Sequence, residues 1–436
     1  MKRNFLISIF FICSILWSAN QSQDNQIVGF ASLDGGTSGG SGGDTVFVSN
    51  TQQIVDLMKP REKGILDPLV VFVTDTLSGH IDMLDIKRTA NVSLFGVGDD
   101  AVFLGYGVKI VESSNIIVRN LTFADCTTED KDGLTIDRSN NVWVDHCTFT
   151  DSPSIDPKGD DHDGLLDVKK GSYNVTISHN YFNNHRKTAL FGHSLSETGD
   201  VNMKATYYRN WFDGTYSRHP RIRYGKVHLL NNLYTNILGY GVGVTSAAHV
   251  MLEGNYFEDT AIAVLISQVN DPQETLSGDP QGYIKANANL TVNSGSIVEN
   301  LSGYDFDPRD FYDYTADDSQ DVKSIVQQTA GAGVIEITTS IEKGLFKNPH
   351  SFTLKQNYPN PFNPQTAIEY SISKKGLVKL VLFNIQGELL DIIIDGIVEA
   401  GQHEVIFDGS NLASGIYIYS LTYGKYVQTR KMIMVK

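Results

Sequence analysis

NVWVDHCTF (141–149) is one version of a phrase that recurs six times: a polar residue, usually Asn, then alternating apolar residues, then an aromatic. The others are NIIVRNLTF (115–123), NVTISHNYF (174–182), KATYYRNWF (204–212), KVHLLNNLY (226–234) and HVMLEGNYF (249–257). Alternation of this kind specifies strands with one face inward. The closing aromatics fall 26, 33, 30, 22 and 23 residues apart, so one structural unit is stacked on itself. No leucine-rich consensus is present, each repeat is too short for a four-stranded propeller blade, and few intervening stretches look helical. A parallel β-helix fits best. Its coils stack about 4.8 Å apart, and surplus residues leave as loops from single coils, which explains the uneven spacing. The segment 91–111 adds earlier coils, and 316–329 reads as a short amphipathic helix near the far end. GGTSGGSGGDTVFV (35–48) is either a flexible linker or an ordered lead-in to the first strand.

Composition bounds the function. The chain has 436 residues, 41% hydrophobic and 19% charged, with a net charge of −15. An acidic surface argues against nucleic-acid binding, which relies on counterion release by a basic one. The N-terminus, MKRNFLISIFFICSILWSANQS, has the basic-then-apolar layout of a secretory leader over residues 1–20, and its apolar run is short for a membrane anchor. The mature chain then keeps Cys126 and Cys147, too few for a disulfide framework or a zinc site, and either paired or free.

Two sets of charged residues fall on neighbouring coils. Asp130 and Asp132 lie two apart, and Asp163 and Asp167 follow about one coil plus a loop later. Residues separated by an even number share one face of a strand. Four carboxylates gathered on one face repel unless a cation lies among them, and an all-oxygen donor set without His or thiolate suits calcium. Ordinary turn and surface aspartates are the competing reading. The next coils decide between them: HRKTALFG (185–192) supplies Lys187, and SRHPRIRYGKVHLLNN (217–232) supplies Arg218, Arg221 and Arg223. Metal and cations along one groove suit an extended polymer with regularly spaced carboxylates. Other candidates have structural readings: Asp145 and His146 within the coil, His228 as a hydrogen-bonded packing residue, Trp143 and Trp211 as packing residues, Lys226 as solvated. Arg221 either binds substrate or holds a loop by a salt bridge.

NVWVDHCTF, DGLLDVKKGSYNVTISHNYF, HRKTALFG and RHPRIRYGKVHLLNN resemble the pectate lyase family, secreted calcium-dependent lyases with a right-handed parallel β-helix. GFASLDGGTSGGSGG and YDYTADDSQDVKSIVQQTAGAG are similar to it as well, so that the resemblance spans about residues 28–335. The resemblance implies that Asp130, Asp132, Asp163 and Asp167 are Ca2+ ligands, with Asp163 where some members have Glu. It implies that Arg218 is the catalytic base, and that Lys187 and Arg223 bind substrate carboxylates. The implied reaction is β-elimination on α-1,4-linked polygalacturonate. The alternatives are a pectin lyase on methyl-esterified chains, a β-helix glycoside hydrolase using paired carboxylates, and a non-catalytic pectin-binding protein.

After about residue 345 the pattern changes. LKQNYPNPFNPQTAIEYSI (354–372) is rich in Pro and Asn, and short alternating strands follow. They predict a small antiparallel β-sandwich over 352–436, after a β-helix domain over 27–345. QNYPNPFNP, LFNIQGE and SGIYIYSL…KMIMVK resemble the C-terminal sorting domain of type IX secretion substrates. That resemblance implies the type IX machinery as a partner and a destination outside the outer membrane, secreted or surface-attached. A carbohydrate-binding or spacer module is the other reading. The chain is expected to act as a monomer.

Overall fold

The structure, a computed structural model, describes residues 26–152, 162–335, 337, 353–372, 375–384, 389–399, 401–423 and 426–436. The leader expected over residues 1–20 lies outside them. The chain divides into two units, Met1–Ile341 and Glu342–Lys436.

The first unit is a right-handed parallel β-helix built from sheets of ten, eight and nine strands, each strand paired in parallel with its counterpart one coil away. One coil runs through Asn140–Asp145 in the ten-stranded sheet and Thr148–Thr150 in the nine-stranded sheet. It continues through Leu166–Lys169 in the eight-stranded sheet, then begins the next coil at Tyr173–Ser178. Inward residues form ladders: Leu94, Val118, Val144, Ile177, Tyr207, Leu229 and Leu252 follow one another in register, each fully buried. Burial of each such side chain contributes roughly 1.5–3 kcal/mol.

The closing aromatics of the repeat form a column of their own. Phe103, Phe123, Phe149, Phe182, Phe212, Tyr234 and Phe257 stack nearly parallel with centroids 4.3–5.3 Å apart. Beside them the asparagines of the phrase form a second ladder at the bend between two sheets. The side-chain oxygens of Asn210, Asn232, Asn255 and Asn289 each accept from the backbone and side-chain nitrogens of the asparagine one coil earlier. Each residue before these asparagines takes the left-handed conformation that turns the corner, as His179, Arg209 and Asn231 do at φ 50–52°.

The glycine-rich segment is ordered. Ser38 and Gly39 donate to the Asn115 side chain, and Gly40 donates to Ser93. A side chain at Gly40 would lie 1.9 Å from the Leu69 carbonyl oxygen, so only glycine allows this approach. Helix α1 (Thr51–Met58), which periodicity did not single out, packs Ile54 and Met58 against the core of the first coils. Helix α2 (Ser319–Thr329) falls where the sequence places it, capped by Asp318 and burying Val322 and Val326 beside Leu233. Cys126 and Cys147 are both free and buried.

In the second unit, an antiparallel sheet of three strands and one of four enclose Ile368, Leu380, Leu382, Tyr419, Leu421 and Met432. This is the expected sandwich. Among the described residues no helix is long and apolar enough to cross a membrane.

Candidate active site

The charged residues lie in the eight-stranded sheet and in the loops that lead into it. Asp132 precedes Leu134–Asp137, Asp163 precedes Leu166–Lys169, Lys187 precedes Ala189–Phe191, and Arg218 precedes Arg221–Arg223. Successive strands of this sheet pair coil to coil, so residues far apart in sequence share one face.

Asp132 and Asp167 meet at one lysine. Both are buried, and the Lys169 ammonium lies between them, 2.8 Å from Asp132 Oδ2 and 3.2 Å from Asp167 Oδ2. Thr135 donates to Asp132 Oδ2 at 2.6 Å, the Gly164 amide to Asp132 Oδ1 at 2.9 Å, and the Leu190 amide to Asp167 Oδ1 at 3.1 Å. Burial and the neighbouring Asp167 push the Asp132 carboxyl up to about 6, against the opposing pull of Lys169. Two carboxylates share one ammonium here, so one negative charge is left for a further cation. A Cβ on Gly164 would stand 2.5 Å from Asp167 Oδ1 and 3.2 Å from Asp132 Oδ1. Glycine therefore leaves open a small space that oxygen atoms of both carboxylates line. An all-oxygen set around such a space fits Ca2+.

The other two aspartates are placed differently. Asp163 is half-buried, with Oδ1 on Lys187 Nζ at 2.9 Å. Burial acts to raise its carboxyl, but the Lys187 hydrogen bond and the charges of Lys187, Arg218 and Lys169 outweigh it and hold the group below its usual range. His185, unnoticed in the sequence, donates from Nε2 to the Asp163 carbonyl at 2.9 Å and is held at Nδ1 by buried Asp151. That fixes the Asp163 backbone. Asp130 is exposed and turned to Lys109 at 2.6 Å.

The cations line up beside this cluster. Lys187 pairs with Ser217 one coil away, and the Ala189 amide donates to the Arg218 carbonyl at 2.8 Å, which sets Lys187 and Arg218 on adjacent coils. Arg218 has φ 67°, a conformation that costs a non-glycine residue of order 1–3 kcal/mol. Neighbours on both sides impose it: its carbonyl is bonded to Ala189, and the next amide, of His219, to the Gly241 carbonyl. His219 is buried beneath with both ring nitrogens engaged, by Thr215 and the Tyr240 carbonyl, and burial lowers its pKa to about 4. Among the described residues the Arg218 guanidinium makes no ion pair, whereas Arg221 and Arg223 share Asp279 Oδ2 at 2.9 and 2.8 Å. Of the two roles weighed for Arg221, the salt bridge is the one displayed: the side chain is buried and also donates to the Leu276 carbonyl.

The remaining candidates are structural. Trp143 is buried and donates to Ser178; Trp211 packs on Tyr181 and donates to Thr235. His228 is buried and bonded to Tyr312 at 2.8 Å. Lys226, expected to be solvated, lies over the rings of Phe306 and Phe311. Asp145, His146 and His179 form the one group of three possible metal donors within 4.8 Å of one another among the described residues. It is poorly built for a metal. Asp145 already accepts from Arg119, His146, Ser178 and His179, and burial notwithstanding, the charges of His146 and Arg119 hold its carboxyl well below the usual range. The two imidazoles stack at 4.6 Å and 11°, so a metal cannot lie in both ring planes.

Comparison with known proteins gives a consistent result. A profile of the pectate lyase family matches residues 4–335, and one described as a secretion system C-terminal sorting domain matches 356–436. The chain is 35% identical over 320 residues to a pectate trisaccharide-lyase of Bacillus licheniformis, covering 72% of this chain and 89% of that protein. It is 31% identical over 314 residues to pectate lyase A of Emericella nidulans, covering 71% and 88%. Among solved structures, a Bacillus sp. pectate lyase in complex with trigalacturonate superposes with a TM-score of 0.63 at 29% identity, covering 71% of this chain and 99% of that one.

Proposed function

Since the chain belongs to the pectate lyase family and is a polysaccharide lyase carrying a type IX sorting domain, we propose that it is exported and cleaves polygalacturonate by calcium-dependent β-elimination. One observation carries the reading: the 2.9 Å contact of Lys187 with Asp163 joins the acidic and cationic sets on a single face. A uronate polymer laid along that face meets both.

Asp132, Asp163 and Asp167 would hold the calcium ion, and Asp130 would join them after leaving Lys109. An ion held there would supply charge neutralisation of a uronate carboxylate, which would make the adjacent C5 hydrogen more acidic. The protein supplies the rest. Lys187 and Arg223 bind carboxylates and stabilise the negative charge that develops as the proton leaves, a preorganised term usually dominant in such reactions. Arg218, in the role its family position implies, removes the C5 proton. The electron pair forms the C4–C5 double bond, the C4–oxygen bond breaks, and the departing oxygen takes up a proton. Arg221 acts from below, through Asp279. The net charge of −15 disfavours nucleic acid, and the cations of the groove beside a carboxylate cluster suited to calcium support a uronate polymer as ligand. The sorting domain supports type IX export to the medium or the cell surface, and we assign the mature enzyme as a monomer.

The test is incubation of the purified protein with polygalacturonate, with calcium or with chelator, following ultraviolet absorbance of the unsaturated product. Calcium-dependent absorbance is expected, with methyl-esterified pectin the poorer substrate. Reducing ends without absorbance would indicate hydrolysis, and binding without product would indicate a non-catalytic protein.

A further inference from the structure

Arg223 is expected to grip a substrate carboxylate, yet a long side chain in a groove does so productively only if something aims it. The structure supplies that element from far along the chain. Asp279, 56 residues after Arg223, is buried and accepts Arg223 Nε at 2.8 Å and Arg221 Nη2 at 2.9 Å on the same oxygen, Oδ2. With Nε engaged, the paired Nη groups of Arg223 are left for a second carboxylate, the planar two-pronged geometry in which guanidinium binds carboxylate most strongly.

Asp279 is itself firmly placed. Its carbonyl accepts from Ser267 Oγ across the loop. Asp271 accepts the Thr275 and Leu276 amides at 2.8 and 2.7 Å, tightening the turn before it. Leu276 is buried with Tyr240 and Leu265, and its carbonyl takes a further bond from Arg221 at 2.7 Å. Just beyond, the Pro280 and Gln281 carbonyls accept the Ser246 and Ala247 amides. The loop is thus pinned to the eight-stranded sheet on both sides of the carboxylate.

The charges do not balance. One carboxylate faces two guanidinium groups, and the cluster keeps a surplus positive charge in a largely dry setting. A docked uronate would complete an alternating series of Arg221, Asp279, Arg223 and substrate. We propose that Asp279 is a positioning residue of the carboxylate-binding site: with Arg221 beneath it, it orients the Arg223 fork toward the uronate next to the scissile bond. The inference rests on the lyase reading above.

A double-mutant cycle tests it, with initial rates on polygalacturonate at saturating calcium for wild type, Asp279→Asn, Arg223→Ala and the double variant. Loss of Asp279 leaves the groove one charge more positive, so attraction of the polyanion persists while alignment is lost. Asp279→Asn should therefore lower kcat at least tenfold without raising KM. In the Arg223→Ala background the same change should cost less than twofold, because contacting residues that act through one another are not additive. A tenfold loss in both backgrounds, or a raised KM with kcat unchanged, would overturn the assignment. Asp279→Glu retains the buried charge and moves it by one methylene; should Asp279→Asn fail to fold, the cycle is run with Asp279→Glu, where about a fivefold loss should vanish when Arg223 is absent. A wild-type protein that forms no unsaturated product would instead remove the lyase reading itself.

Discussion

Replacing Lys169 with alanine separates the role of the protein's own cation from that of calcium. Lys169 is the shared counter-ion of two buried carboxylates, at 2.8 and 3.2 Å, with its side chain only 11% exposed. Removing one partner of a buried ion pair costs about 3–5 kcal/mol. Here the loss has a ceiling, because the Asp132 carboxyl is already shifted up by burial and Asp167 against the pull of Lys169, and without that ammonium it takes a proton still more readily. In chelator at pH 8 the variant should therefore lose about 3 kcal/mol, the low end of that range, and less as the pH approaches 6. Calcium at a hundred times its Kd stabilises by about 2.7 kcal/mol. In the variant the ion meets no resident ammonium between Asp132 and Asp167, so its effect should be larger than in wild type. The assay is thermal unfolding of both proteins at pH 8 and pH 6, in chelator and across a calcium titration. Equal calcium-induced shifts in the two proteins would refute the idea that the ion and Lys169 serve the same carboxylates. So would a loss of less than about 1 kcal/mol in chelator, given that buried pairs of this kind normally cost several times more.

Three further outcomes are expected. Arg218→Ala should abolish product formation at the limit of the absorbance assay while leaving the melting temperature within a few degrees of wild type, since among the described residues its guanidinium makes no ion pair. Asp145→Asn should destabilise by about 3–5 kcal/mol at pH 7 by breaking a buried charge network. Its carboxyl is depressed in the folded state, so that contribution is present above the unfolded value of about 3.9 and is lost as pH falls toward the folded value; melting curves of the two proteins should converge only below about pH 4. Asn232→Ala removes four side-chain hydrogen bonds, to Asn210 twice, to the Tyr207 carbonyl and to Asn255, at about 1 kcal/mol each. A urea midpoint shift no larger than that of the exposed control Asn236→Ala would contradict the ladder's role.

The coil is legible in the sequence because its physics is local and repeated. The aromatic closing each phrase becomes the stacked column, the asparagine two residues before it becomes the corner ladder, and the alternating apolar residues become the inward ladders. Cys147 stands at that ladder position in NVWVDHCTF, its amide donating to Asn180, and sits free in the core. The C-terminal sandwich and helix α2 were readable for the same reason, since alternation and a capped amphipathic turn announce themselves within a few residues. What sequence could not reveal depends on which side chains meet after stacking. Nothing local in the sequence marks Lys169, and only the folded coil makes it the counter-ion of Asp132 and Asp167. Asp279 is one aspartate in a loop until long-range pairing carries it onto Arg221 and Arg223, and the contact of Asp130 with Lys109 is likewise set only by the stacked coils. Helix α1 escaped because its eight residues gain their stability by capping the first coils rather than from a long periodic pattern. Backbone periodicity is an additive, short-range property written into the residues themselves; the charge balance of a site belongs to the packed molecule, where burial and distance set each electrostatic energy.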